Sequence, residues 1–186
     1  MNYQFFILLA TQFIVGLSDN ALILVVIALL QEQLYPDWWV PLLKVVFTVS
    51  FVLFAPIVGH ASDIRPKRVV MQSATVLKVI ACVLLLLDFH PFACLLLAGL
   101  GASIYSPAKY GLATEMVPVS HLVKANAWLE VSTVLASIFG FLFGGLLVSE
   151  SFRWSEWAQG ISSMLHESGS LYLSIAILMV IFIFAS

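Results

Sequence analysis

Four ionisable side chains stand in unfavourable company: Asp19, Lys78, Lys109 and Glu130 fall within, or at the edge of, long apolar runs of this 186-residue chain. Asp19 lies in the stretch Gly16–Asn20, GLSDN, inside a run from Phe5 to Leu30 that is otherwise almost wholly apolar. Such a run crosses a bilayer, because about 20 apolar residues at 1.5 Å rise each cover a ~30 Å hydrocarbon core. A carboxylate near the membrane middle costs on the order of 2.5–3.5 kcal/mol. It therefore faces a cavity, a partner charge or a transported species, or it is a protonated carboxyl bonded to a neighbouring helix. Each of the other three charges is likewise expensive alone and cheaper when paired. Lys109 and Glu130 form a plausible pair toward one end of consecutive helices. Lys78 reads as a partnered charge or as a snorkelling one, and Lys109 is close enough to a helix end to reach water.

Composition sets the class in which that chemistry operates. Of the residues, 62% are hydrophobic and only 10% charged, against roughly 45–50% and ~25% in a soluble domain. Mean hydropathy is +1.07, so the chain belongs in lipid. A net charge of −2 without a basic tail or Arg-rich stripe gives nucleic-acid binding no support. Cys82 and Cys94 stand in apolar context with no CxxC or Cys/His cluster, so they read as packing residues, and no metal or cofactor site is expected. No catalytic set is expected either. None of His60, His90, His121 and His166 has an Asp five residues on, and no Gly-x-Ser-x-Gly elbow occurs.

The elements that must hold these charges are read from the apolar runs and their punctuation. Helices are expected over about residues 3–30, 42–58, 69–87, 92–113, 125–148 and 169–186, the sixth cut short. The first run has no basic residue ahead of it and is too long for a signal peptide, so it reads as a retained span. On it Gln12, Gly16, Asp19 and Ile23 recur at helical spacing, with Asn20 beside them. Trp38 and Trp39 suit an interfacial belt. Gly99, Ala102, Ser103 and Ser106 give the fourth helix a small-residue side, for close approach or for a ligand. Asn126, Glu130, Thr133 and Ser137 draw a continuous polar stripe on the fifth, and Gly140 and Gly144 form a GxxxG packing step. The polar loop 149–168 has room for a short interfacial helix.

Lys and Arg set the orientation. A cytoplasmic N-terminus places Arg65, Lys67, Arg68 and Lys124 inside, leaving Glu32, Asp37, Asp88, Glu150 and Glu156 outside. The densest charge, in GHASDIRPKR (Gly59–Arg68), joins the second and third helices. Its Gly59, Asp63, Arg65, Lys67 and Arg68 resemble the signature loop of major facilitator transporters, in which an Asp locks neighbouring helix ends through basic partners. A carboxylate at helix N-termini and cations at C-termini complement the helix dipoles. Ile64 stands where that loop usually has a basic residue and Pro66 where it usually has glycine.

GLSDNAL, FAPIVGHASD, YSPAKYG, LVKAN and the following Glu130, in that order, resemble the lysophospholipid transporter (LplT) family of the major facilitator superfamily. The resemblance runs from about Asp19 to Gly145 and implies an all-α polytopic membrane protein. It implies the six-helix N-terminal half of a transporter over residues 1–186, with the C-terminal half absent from this stretch. It implies lysophospholipid, chiefly lysophosphatidylethanolamine and lysophosphatidylglycerol, flipped to the cytoplasmic leaflet of the bacterial inner membrane by alternating access. It further implies reacylation by an acyltransferase/acyl-carrier-protein synthetase, as a partner or a fused domain. Asp19 and Lys109 are expected in charge-pair gates, Asp19 closing against a basic residue of the other half. Asn20, Ser106, Asn126 and Glu130 line the path, and Lys78 is a further intramembrane charge. The alternative is a proton-coupled major facilitator exporter of small amphiphiles in which Asp19 or Glu130 carries the proton. Phe141 replaces the proline of the antiporters' Gly-Pro-x-x-Gly-Gly motif, which weighs against it.

Overall fold

A computed structural model describes residues 3–155, 158–161 and 170–186. All regular structure among them is helical: α1 (Tyr3–Glu32), α2 (Trp39–Ile64), α3 (Lys67–Leu86), α4 (Pro91–Met116), α5 (Leu122–Val148), the single turn α6 (Glu150–Arg153) and α7 (Ser170–Phe184). By length and composition α1, α3, α4 and α5 with the 3-10 turn before it can each cross a membrane, and Trp39–Ser50 and Leu171–Phe184 are shorter apolar helices. The chain is a multi-pass membrane protein.

Prolines decide several of the boundaries. α2 runs through Pro56 and Gly59, where the sequence suggested its end, and stops only at Arg65, whose extended backbone (φ −106°, ψ 154°) is what a following proline imposes. Gly59 and Asp63 therefore belong to the last turns of a helix, and the connection to α3 is reduced to Arg65 and Pro66. Val117 before Pro118 is extended in the same way and closes α4. Pro91 opens α4 at its first turn, where a missing N–H loses no bond. α5 begins at Leu122, after a 3-10 turn over Val119–His121, rather than at 125.

α1 and α4 are the two central helices. α1 packs on α5 and α7, α4 packs on α3 and α2, and α3 meets α7 behind them. Lipid tails are as apolar as leucine, so what brings such helices together is close fit between small residues. Gly140 and Gly144 supply it on α5. A Cβ on Gly140 would come to 2.6 Å of the Leu17 carbonyl oxygen, and one on Gly144 to 2.9 Å of the Ala21 Cα. The other face of α5, with Trp128, Val131, Leu135, Ile138 and Leu142, is exposed and apolar.

The two ends of the bundle differ. At one, Tyr35, Trp39, His90 and Phe92 form an aromatic cluster, with Trp39 4.7 Å from Tyr35 and 4.9 Å from Phe92. There Arg153 pairs with Glu32, and the Tyr172 hydroxyl donates to Asp88, tying α6 to α1 and α7 to the α3–α4 turn. The single turn α6 is the short helix expected in the 149–168 loop, capped by Ser149. Glu156, Trp157 and His166 lie outside the described residues. The opposite end carries Arg65, Lys67 and Arg68.

Candidate functional site

The polar residues of α1 divide between two neighbours. Successive helical residues are about 100° apart, and the structure uses that step between Asp19 and Asn20. Gln12 and Asn20 face α5, where Gln12 Nε2 donates to the Leu129 carbonyl (2.9 Å) and Asn20 Nδ2 donates to Ser137 Oγ (3.4 Å). Asn20 Nδ2 also donates to the Gly16 carbonyl at 2.8 Å. Asp19 turns the other way, to α3, and its Oδ2 accepts from Lys78 Nζ at 2.6 Å. Asp19 thus leaves the face it was expected to share with Gln12 and Gly16. The gate partner expected for Asp19 is a basic residue outside this stretch; within the chain, the cation it meets is Lys78.

Lys78 is fully buried and the Asp19 side chain is 15% exposed. The Lys78 ammonium also stands 5.2 Å from the Tyr105 ring centre and 5.6 Å from that of Phe182, where cation–π attraction adds to the ion pair. Gly101 makes the space: a Cβ there would sit 2.9 Å from Lys78 Cγ and 2.7 Å from the Ala74 carbonyl oxygen. A lysine at this depth is therefore a held charge and not a snorkelling one.

A second polar cluster bridges α4 and α5, toward the end bearing Arg65, Lys67 and Arg68. Lys109 Nζ donates to Thr133 Oγ1 (3.2 Å) and lies 4.9 Å from the Tyr110 ring centre. The Tyr110 hydroxyl donates to the Glu130 carboxylate. Thr133 Oγ1 donates on to the Leu129 carbonyl at 2.9 Å, so Lys109 meets an oriented acceptor. The expected Lys109–Glu130 pair is replaced by these two contacts. The reason is geometric: Lys109 is buried, Glu130 is exposed, and the longer tyrosine beside Lys109 is the group that reaches out to the carboxylate. Ser106 is half-buried one turn earlier on α4, and Asn126 is exposed one turn before Glu130. With Asn20 and Ser137 these residues form a polar seam along α1, α4 and α5.

The loop residues are distributed otherwise. Arg65 and Arg68 are exposed, and the Lys67 side chain lies over Gly111, where a Cβ would come to 3.1 Å of its Cε. The glycine of YSPAKYG thus leaves room for a lysine of α3. The side chain of Asp63 lies outside the described residues. Cys82 and Cys94 are buried free thiols, and no group of three potential metal ligands occurs among the described residues.

Sequence reasoning missed Tyr105 and Tyr110 as members of these clusters. Tyr110 is adjacent to Lys109 and Tyr105 one turn before it, but only the packing of α3 and α5 shows what each tyrosine touches. For Lys78 the signal was available, since a mid-span lysine requires an acid and Asp19 is the mid-span acid nearest in depth.

The sequence model of the Major Facilitator Superfamily matches residues 8–185. The chain belongs to that superfamily. Among curated members, it is similar to the lysophospholipid transporter LplT of Citrobacter koseri, with 43% identity over 139 residues, 75% of this chain and 35% of the relative. The protein of the same name from Photorhabdus laumondii is 42% identical over 139 residues, again 75% and 35% of the two chains. That from Yersinia enterocolitica is 38% identical over 154 residues, 83% of this chain and 36% of the relative. The chain thus spans about 35% of the length of the curated superfamily members it matches. The resemblance carried by GLSDNAL and YSPAKYG is met by relatives of that name, and they are named as transporters, not enzymes.

Proposed function

We propose that this chain forms the N-terminal half-bundle of a transporter that moves lysophospholipid across the bacterial inner membrane by alternating access. The single observation that carries the reading is the seam of α1, α4 and α5. It combines a buried cation, Lys109, with an exposed anion, Glu130, and with the hydrogen-bonding side chains of Asn20, Tyr110, Thr133 and Ser137, on the flank of an apolar bundle. A lysophospholipid has a phosphate, polar headgroup atoms and one acyl chain. Lys109 attracts the phosphate, the seam accepts the remaining headgroup atoms, and the chain stays against apolar surface, so access is lateral from the membrane. The similarity to transporters named for this substrate supports the same assignment.

In this reading the end with Arg65, Lys67 and Arg68 is cytoplasmic, as the distribution of basic residues favours. Arg65, Lys67 and Arg68, with Gly59 and Asp63, brace the α2–α3 junction there. The lipid is delivered to the cytoplasmic leaflet, where an acyltransferase/acyl-carrier-protein synthetase, separate or fused, restores the second chain. Asp19 acts as a gate charge held by Lys78 in the state described here.

The test is uptake of labelled lysophosphatidylethanolamine by spheroplasts expressing the full-length transporter. Uptake well above that of cells lacking it, and absent for the diacyl lipid, is expected. Equal uptake with and without the protein, combined with substrate-induced proton movement for a soluble amphiphile in proteoliposomes, overturns the lipid reading in favour of a proton-coupled exporter.

A further inference from the structure

A separate open space lies away from the seam. A cavity of about 390 Å³ sits between α1, α3, α4 and α7, at the end of the bundle that carries Arg68. Its polar lining includes Gln4 and Thr11 from α1, Arg68, Gln72 and Thr75 from α3, Tyr105 from α4, and Ser186 after α7, whose carbonyl accepts from Gln72 Nε2 at 3.4 Å. Two of these reach the buried ion pair. Thr75 is one turn before Lys78, and the Tyr105 ring is the one that stands 5.2 Å from the Lys78 ammonium.

Two polar atoms at this inner end are buried without a hydrogen-bond partner: the Tyr105 hydroxyl, on a residue only 6% exposed, and Asp19 Oδ1. A hydroxyl and a carboxylate oxygen in that condition each call for a partner, because leaving either dry forfeits its hydration. Water is able to serve each of them, donating to Oδ1 and accepting from the phenol. A polar-lined space many times the ~10–15 Å³ that one water requires is one that water occupies. We propose that this cavity is an aqueous inlet, separate from the seam on α1, α4 and α5, that brings water past Tyr105 to the Asp19–Lys78 pair. Arg68 in its lining disfavours cations there.

The consequence concerns what the ion pair can do. A buried pair sealed from water is a fixed tie, since parting it strands two bare charges. With water at Oδ1 the pair can open and reclose as α1 and α3 move. The inference stands on the cavity and the two unpartnered atoms, and does not depend on which substrate the seam carries.

The test is cysteine accessibility in membranes containing the full-length transporter, with Cys82→Ala and Cys94→Ala as background. Thr75→Cys and Leu112→Cys, both on the cavity wall, are treated with a small neutral methanethiosulfonate. Gln72→Cys at the mouth reports delivery of the reagent, and Ala81→Cys, fully buried on α3 beyond Lys78, is the dry reference. Modification of Thr75→Cys about tenfold faster than Ala81→Cys is expected, since thiol reactivity follows access. Thr75→Cys reacting as slowly as Ala81→Cys, while Gln72→Cys and Leu112→Cys react, overturns the proposal.

Discussion

The bundle holds two charged clusters of similar make-up and opposite setting. In the interior, Asp19 and Lys78 meet directly at 2.6 Å, with Lys78 fully enclosed. On the α4–α5 seam, Lys109 and Glu130 stand apart, each bound to a neutral hydroxyl, with Glu130 exposed. A direct pair deep in the protein commits Lys78 to one carboxylate oxygen and links α1 to α3 by their side chains. Charges that spend their bonds on Thr133 and Tyr110 keep the capacity to exchange those partners for a ligand. The difference teaches that a charge inside a membrane span is not by itself a substrate site. What decides the matter is whether it is bound to an opposite charge or to neutral groups it can exchange for a ligand.

The largest expected effect breaks the interior pair. Lys78→Met leaves a buried carboxylate without its cation and should lower stability by about 3–5 kcal/mol, whereas the double change Asp19→Leu with Lys78→Met should recover most of that loss. Thermal melting of the purified transporter in detergent measures both. If the single and double variants melt alike, the pair is not what binds α1 to α3. A second, smaller loss belongs to packing. Gly140→Leu drives a side chain into the backbone of α1 at Leu17 and should cost about 1–3 kcal/mol, while Gly145→Ala, with nothing within 4 Å of the added carbon, should stay within about 0.5 kcal/mol. The same melting experiment ranks them.

The seam predicts the reverse pattern of stability and activity. Tyr110→Phe removes one hydrogen bond at the protein's edge, worth about 0.5–1.5 kcal/mol. It frees Glu130, so the variant should melt nearly as wild type while its uptake of zwitterionic and anionic lysophospholipids diverges. Competition between lysophosphatidylethanolamine and lysophosphatidylglycerol would show that divergence, and unchanged preference would remove Glu130 from headgroup selection.

Much of this architecture was legible in the chain. Six apolar runs with their punctuation marked the long helices, and Gly140 and Gly144 marked a packing step on α5, whose partner α1 only the structure shows. The end of α2 moved because Pro56 proved tolerable inside a helix, as Pro107 is inside α4. In lipid a freed carbonyl can be satisfied by neighbours, so proline is a weaker stop than in water. The charges were legible as a set but not as pairs. Spacing along one helix fixes an angle and a depth, yet Asp19 and Lys78 are 59 residues apart in sequence, and only the packing of α1 and α3 on their shared neighbours α4 and α7 brings them together. Tyr105 and Tyr110 were passed over for the same reason, because a tyrosine in an apolar run reads as packing until its hydroxyl has a neighbour.

In the proposed function the seam around Lys109 handles substrate, while the Asp19–Lys78 pair links helices in the interior. The most direct measurement is lysophosphatidylethanolamine uptake by the full-length transporter carrying Lys109→Ala, at matched expression and matched melting temperature. A loss of about tenfold or more is expected, the equivalent of ~1.4 kcal/mol of charge-assisted contact to the phosphate. Uptake equal to wild type in a normally folded Lys109→Ala variant would contradict it.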